Sequence, residues 1–210
     1  MLRLERVYYR YPQSTDDVIA DLSCQFSPGE CVAVTGRNGC GKTTLVRLLT
    51  GILRPDRGRI LLDDNDLTRM DLFTIGQSIG CVFQDPSRQL FCRSSREEIS
   101  FGLKNLGLPQ DEIEERVCRY LDMFGLTHQA EAFPGNLSQG EKQRLVLAAV
   151  MALGTRYLLL DEPTSSLDMA AREKLGATLS QLAKNGCGVI FVSHERAFIQ
   201  RWAGRELVLS

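Results

Sequence analysis

At 210 residues the chain has room for one domain, with a subdomain at most, and enough length to bury a substantial core. Apolar residues make up 43% and charged residues 24%, an ordinary globular balance, and 25 Lys and Arg against 26 Asp and Glu leave a formal net charge of -1. That balance excludes bulk attraction to nucleic acid or to an anionic membrane surface, and no nucleic-acid partner is expected.

No segment has the composition of a membrane span. The longest apolar run, Leu145 to Leu153, falls far short of the roughly 20 residues needed to cross a bilayer. Charge alternates with apolar residues from Met1 to Arg6, unlike a secretory signal. Cys24, Cys31, Cys40, Cys81, Cys92, Cys118 and Cys187 form no C-x-x-C pair. Their odd number argues against a disulfide framework or a structural zinc site and for a reducing compartment.

In chain order, Leu2 to Tyr11 reads as β, and Val18 to Phe26 as a further strand after a turn. Glu30 to Thr35 is a short apolar strand leading into a glycine-rich turn. Leu45, Leu48, Leu49 and Ile52 then form an i, i+3, i+4, i+7 stripe, predicting a helix that stops near Gly51. Arg59 to Leu62, Ile79 to Phe83, Tyr157 to Leu160 and Gly188 to Ser193 are the remaining predicted strands. The last three are continuous apolar runs, as in a parallel sheet buried on both faces. Leu145, Ala148, Ala149 and Ala152 share one predicted helix face, and Leu175, Leu179 and Leu182 another. The stretch from about Pro86 to Asn136 is charged and helical in pattern, an insertion into an α/β core.

The turn after the third strand, Gly36-Arg37-Asn38-Gly39-Cys40-Gly41-Lys42-Thr43, matches G-x-x-x-x-G-K-[ST]. Its glycines let backbone N–H groups curl toward phosphate oxygens, and the following helix adds its N-terminal dipole. Lys42 is expected to reach the β- and γ-phosphates of ATP, with Thr44 beside it, and the Thr43 hydroxyl to ligate Mg²⁺. A buried strand ends in Asp161-Glu162. Asp161 is placed to hold Mg²⁺ through water, and Glu162 to polarise the attacking water. A solvated acidic strand end is the bland alternative, but the polar turn Pro163 to Asp168 extends the cluster.

Leu137-Ser138-Gln139-Gly140-Glu141-Lys142-Gln143-Arg144 resembles the signature sequence of ABC ATPases, and the resemblance covers nearly the whole chain. It implies one ABC ATPase domain over residues 1–210, of P-loop NTPase α/β class. Its sheet would be mostly parallel, with an N-terminal antiparallel β part and a helical subdomain inserted at about 86–145. Ser138 and Glu141 also read as an S-x-x-E capping box. In the family, this helix end, with Gly140, meets the γ-phosphate held by a partner, so a head-to-tail dimer with a second ABC ATPase subunit is implied. Ser166, Leu167 and Asp168 match the loop that crosses that interface. Gln84 matches the glutamine that touches Mg²⁺ and water. His194 matches the histidine that contacts the γ-phosphate. Tyr11 is expected to stack on adenine, with Tyr8 and Tyr9 as rivals. His128 reads as surface.

Val82-Phe-Gln-Asp-Pro-Ser-Arg-Gln-Leu-Phe91 resembles the same segment of energy-coupling factor transporters and their cobalt or nickel relatives, as do Glu97 to Gly107 and Val7 to Pro12. The resemblance implies a peripheral subunit at the cytoplasmic face of the cell membrane, beneath an integral membrane scaffold, driving uptake of a vitamin or transition metal ion. An ABC ATPase of a soluble machine in translation or DNA repair is the alternative, as is a nucleotide-gated switch with little turnover. Gln139 departs from the family, standing where a second signature glycine is usual. The sequence also ends at Ser210, soon after His194, where the family often carries a further region. Cys40, at a helix N-terminus beside Lys42, is expected to be a reactive thiol whose alkylation blocks hydrolysis.

Overall fold

The computed structural model describes residues 1–165 and 167–209. Ser166, assigned above to the interface loop, lies outside the described residues. The strands are β1 (Leu2–Tyr9), β2 (Ile19–Phe26), β3 (Cys31–Gly36), β4 (Arg57–Leu62), β5 (Asn65–Asp66), β6 (Ile79–Val82), β7 (Tyr157–Asp161), β8 (Gly188–Val192) and β9 (Arg205–Leu209). The helices are α1 (Lys42–Leu49), α2 (Leu72–Ser78), α3 (Ser95–Asn105), α4 (Gln110–Met123), α5 (Gln139–Ala152), α6 (Met169–Lys184) and α7 (Arg196–Trp202).

They form two sheets. An antiparallel sheet runs β2-β1-β4-β5, and a parallel sheet runs β6-β7-β8-β3-β9. Side chains of the parallel strands alternate between two cores, as the two-residue period of a strand dictates. Val32, Val34, Leu159, Ile190 and Val192 join α1 and the antiparallel sheet. Ala33, Leu158, Leu160, Val189 and Phe191 join α3, α4, α5 and α6. The apolar runs of the sequence are therefore strands covered on both faces. In β1 the buried positions switch from Leu2 and Leu4 to Val7 and Tyr9 across a bulge at Arg6, whose φ is 46°.

Four expectations change. β1 stops at Tyr9, because the Tyr11 carbonyl accepts from Ser14 N at 2.9 Å in a turn through Pro12, which has no N–H to give a ladder. Ile52 lies beyond α1 and is exposed, because Gly51 turns the chain at φ 72°. α5 is buried over contiguous residues Leu145 to Ala148 rather than along one stripe, because α3, α4 and β6 surround it. Arg205–Leu209 is not among the predicted strands, yet β9 closes the sheet beside β3. As an edge strand it alternates exposed and covered residues, and its apolar run is short, Leu207 to Leu209. Between Pro86 and Asn136 the described residues form helices and turns without a strand. No helix among the described residues is long and apolar enough to cross a membrane.

Candidate active site

The C-terminal ends of β3, β7 and β8 open into one cavity of about 640 Å³, the size of a nucleotide site. The turn from β3 into α1 forms its floor. Gly41, at φ 96°, is the residue before α1, and a Cβ there would come within 2.9 Å of the Val18 carbonyl oxygen. A Cβ at Gly36, at φ 146°, would come within 2.5 Å of the Leu209 carbonyl oxygen. Only glycine fits at either position.

This turn buries Lys42, whose Nζ donates to the carbonyl oxygens of Gly36 and Arg37, each at 3.0 Å. Among the described residues no carboxylate pairs with it. A buried ammonium held by carbonyls alone is a ready partner for an anion such as phosphate. Asn38, Gly39, Thr43 and Thr44 also line the cavity. Arg37 is exposed and contributes its carbonyl; Cys40 is half-buried and folds its sulfur toward Gly36. Neither side chain lines the cavity.

Opposite the turn, Asp161 ends β7, and Thr43 Oγ1 donates to Asp161 Oδ2 at 3.0 Å. Glu162 follows with φ 50°, a left-handed backbone that L-residues rarely adopt. Its N–H donates to the Val192 carbonyl oxygen at 3.1 Å, tying it to the end of β8. Two residues past Val192, His194 sets Nε2 3.0 Å from Glu162 Oε1. Burial raises the pKa of Glu162, with His194 opposing and Asp161 adding to the rise. Burial raises Asp161 as well, against the Thr43 hydrogen bond. Two adjacent carboxylates resisting ionisation are suited to accept a cation and a proton.

Tyr11 lines the cavity, its hydroxyl 3.1 Å from Thr44 Oγ1 and its ring edge-on to Tyr9. Its rivals are engaged elsewhere: Tyr9 is buried and Arg57 covers the Tyr8 ring at 4.0 Å. Gln84, in the bend after β6, lines this cavity and a second groove of about 390 Å³ beside it. His128 is exposed.

Ser138, Gly140, Glu141 and Asp168 do not line the cavity. Ser138 and Glu141 make a reciprocal capping box at the start of α5, and the Ser138 hydroxyl holds the Glu141 carboxyl below its usual range. Asp168 caps α6 by accepting from Ala171 N at 2.8 Å. Gly140 has ordinary helical φ, and a Cβ there would meet nothing closer than 3.9 Å. Nothing within the fold demands glycine at Gly140.

One residue next to the site escaped the sequence reading. Gln143, buried in α5, donates its amide to the Pro163 carbonyl oxygen, bracing the turn that follows Glu162. Its signal was slight, because Gln143 stands in the polar first turns of α5, between Lys142 and Arg144 and ahead of the apolar run from Leu145. Thr164 of the same turn meets Ser193, the residue after β8, hydroxyl to hydroxyl in full burial at 3.5 Å.

Among the described residues no cluster of three or more His, Cys, Asp or Glu side chains forms a metal cage. The hydroxyl and carboxylate of Thr43 and Asp161 instead match a hard cation that takes its other ligands from water and phosphate, as Mg²⁺ does.

This fold and site are those of a P-loop ATPase, and the family model for the ABC transporter domain matches residues 19–165. The chain belongs to the ABC transporter family, as one of its ATPases. It is 40% identical over 205 residues to a putative ABC transporter ATP-binding protein of Nostoc, covering 97% of this chain and 75% of the relative. The energy-coupling factor transporter ATP-binding protein EcfA of Methanothermobacter thermautotrophicus is 38% identical, over 100% of this chain and 68% of its own. The cobalt import ATP-binding protein CbiO of Syntrophus aciditrophicus is 38% identical, over 92% and 70%. The solved structure of CbiO1 from Clostridium perfringens, part of the ABC transporter complex CbiONQ, superposes with a TM-score of 0.91 at 34% identity, covering 100% of this chain and 84% of that one.

Proposed function

We propose that this chain is the Mg²⁺-dependent ATPase of an energy-coupling factor type importer for a vitamin or transition metal ion. It would work at the cytoplasmic face of the cell membrane, paired with a second ABC ATPase subunit beneath an integral membrane scaffold. The observation that carries the reading is the single cavity in which Lys42, Thr43, Asp161, Glu162 and His194 converge. The names of the relatives favour the importer.

Each side chain then has one task. Lys42 exchanges the carbonyls of Gly36 and Arg37 for β- and γ-phosphate oxygens. Loop N–H groups from Gly36 to Thr44 complete the phosphate cradle, and Tyr11 carries the base. Mg²⁺ held by Thr43, Asp161 and Gln84 would supply Lewis-acid neutralisation of phosphate charge. Glu162 takes the proton of the attacking water, a role suited to a carboxylate whose pKa burial has raised. His194 orients Glu162 and faces the γ-phosphate. Ser138, Gly140, Glu141 and Asp168 lie outside this cavity and serve the nucleotide of the partner, which requires two subunits.

The second groove supports coupling to a membrane subunit. Gln84 and Asp161 reach it from the nucleotide side, while exposed Ile52 and Phe83 reach it from the surface. Exposed Phe91 and Phe101 pack edge to face, with centroids 4.9 Å apart, on the helical segment at 86–145 that we take as the moving subdomain.

The test is size-exclusion chromatography of purified Glu162→Gln with Mg-ATP, beside steady-state hydrolysis by the unmodified chain. An ATP-dependent dimer with hydrolysis lost in the variant is expected. A variant that binds ATP and stays monomeric would assign the partner site to a different ATPase chain. Absence of hydrolysis with the membrane subunits present would refute the reading.

A further inference from the structure

We infer that Gln89 is a positioning residue that fixes Gln84 between the nucleotide cavity and the second groove, an inference that rests on the proposed role of Gln84. β6 is the outer strand of the parallel sheet, so one side of it has no neighbouring strand. Unpaired backbone groups there would be left to water or to a side chain. Gln89 supplies the side chain. Its Nε2 donates to the Cys81 carbonyl oxygen at 2.9 Å, and its Oε1 accepts from Phe83 N at 2.8 Å. One carboxamide thus makes the donor and acceptor pair that a neighbouring strand would make.

The consequence is a closed ring of backbone from Phe83 to Gln89. The chain between them is tightened by Ser87 N donating to Asp85 Oδ1 at 3.1 Å and by Gln89 N donating to the Pro86 carbonyl oxygen at 3.0 Å. A second clasp follows. Buried Glu98 of α3 accepts from Phe91 N at 3.0 Å and Cys92 N at 2.8 Å. The segment is therefore anchored to the sheet through Gln89 and to the helices through Glu98. Gln84 is the residue after Phe83, whose N–H Gln89 holds, and Gln84 alone in this ring faces both cavities. Phe83 and Phe91, on either side of the clasp, expose their rings. A push on those rings reaches Gln84 through a ring whose closure is the Gln89 carboxamide.

Loss of the clasp should then act through Gln84. A residue that merely satisfies backbone groups would act independently of it, so a double-mutant cycle separates the two. In steady-state hydrolysis by the purified full chain, Gln89→Leu is expected to lower kcat by about 10-fold to 100-fold. Affinity for a fluorescent ATP analogue should stay within about 2-fold. In a Gln84→Ala background, Gln89→Leu should produce no further loss. Gln89→Glu, which keeps the acceptor for Phe83 N, should restore part of the rate; it also carries the cycle if the leucine variant no longer binds the analogue.

Hydrogen exchange reads the clasp without catalysis. Protection at Phe83 should fall in Gln89→Leu while that of β7 is retained. Additive losses in the double variant, or unchanged exchange at Phe83, would overturn the inference. An unmodified chain that hydrolyses no ATP, with exchange altered as described, would refute the proposed function and leave the clasp standing.

Discussion

His194 Nε2 stands 3.0 Å from Glu162 Oε1, although the two residues are 32 positions apart in sequence. The pairing follows from register. β7 and β8 run side by side with Asp161 opposite Val192, so the residues just past both strand ends must meet. Glu162→Gln is expected to lower kcat by at least about 100-fold with ATP binding retained. His194→Ala should cost a similar factor alone and little more in the Glu162→Gln background, because the two act as a unit. Single-turnover hydrolysis and nucleotide titration check both.

Stability should respond to the same carboxylate with a definite sign. Burial raises the folded-state pKa of Glu162 above the ordinary 4.5. Below the ordinary value the group is protonated in both states and its contribution is at its most favourable. As pH rises through the folded pKa, the native state must bury a charge and stability is lost. Glu162→Gln is therefore expected to melt higher than the unmodified protein at pH 7 to 8. That advantage should shrink as pH falls toward 4.5. A constant difference across the range would contradict burial as the cause. Asp161 contributes in the same sense.

Backbone strain at Glu162 adds a separate term. With φ at 50°, a side chain there costs about 1 kcal/mol that glycine does not incur. Glu162→Gly should therefore melt about 2–4 °C above Glu162→Gln, while both are inactive. The comparison holds charge removal constant, and a glycine variant that melts lower would show that the side chain's contact with His194 outweighs the backbone strain. Calorimetry of the two variants at neutral pH decides it.

Ser138 combines a cap with a proposed partner contact, and two substitutions separate them. Ser138→Ala should cost about 1 kcal/mol of stability by removing the cap. Ser138→Gly should cost only a few tenths of a kcal/mol. If the hydroxyl also serves the partner's nucleotide, both variants should lose ATP-dependent dimerisation equally. A glycine variant that dimerises like the unmodified chain would confine Ser138 to capping.

Cys40 sits within the phosphate loop with its sulfur turned toward Gly36, where an adduct would have to displace the turn. Alkylation confirmed by mass spectrometry at Cys40 should abolish ATP binding, and bound ATP should slow the modification. Full hydrolysis by the modified protein would show that the loop tolerates the adduct.

The local motifs were legible because their physics is local. Glycine spacing from Gly36 to Gly41 dictates the turn, Ser138 and Glu141 lie one helical turn apart, and the apolar runs of β7 and β8 announce doubly covered strands. Tertiary structure decided what depends on contacts distant in sequence. Thr43 meets Asp161 across 118 positions, and the register of β7 against β8 brings His194 to Glu162. Packing chose Tyr11 over Tyr8 and Tyr9 for the cavity wall by burying one rival and covering the other with Arg57. It gave β9 its place, because an edge strand needs only its neighbour's hydrogen bonds, and here the apolar run is only Leu207 to Leu209. It also set Gln143 against Pro163 and Gln89 against β6, since a side-chain amide has no pattern until a backbone group is brought within its reach.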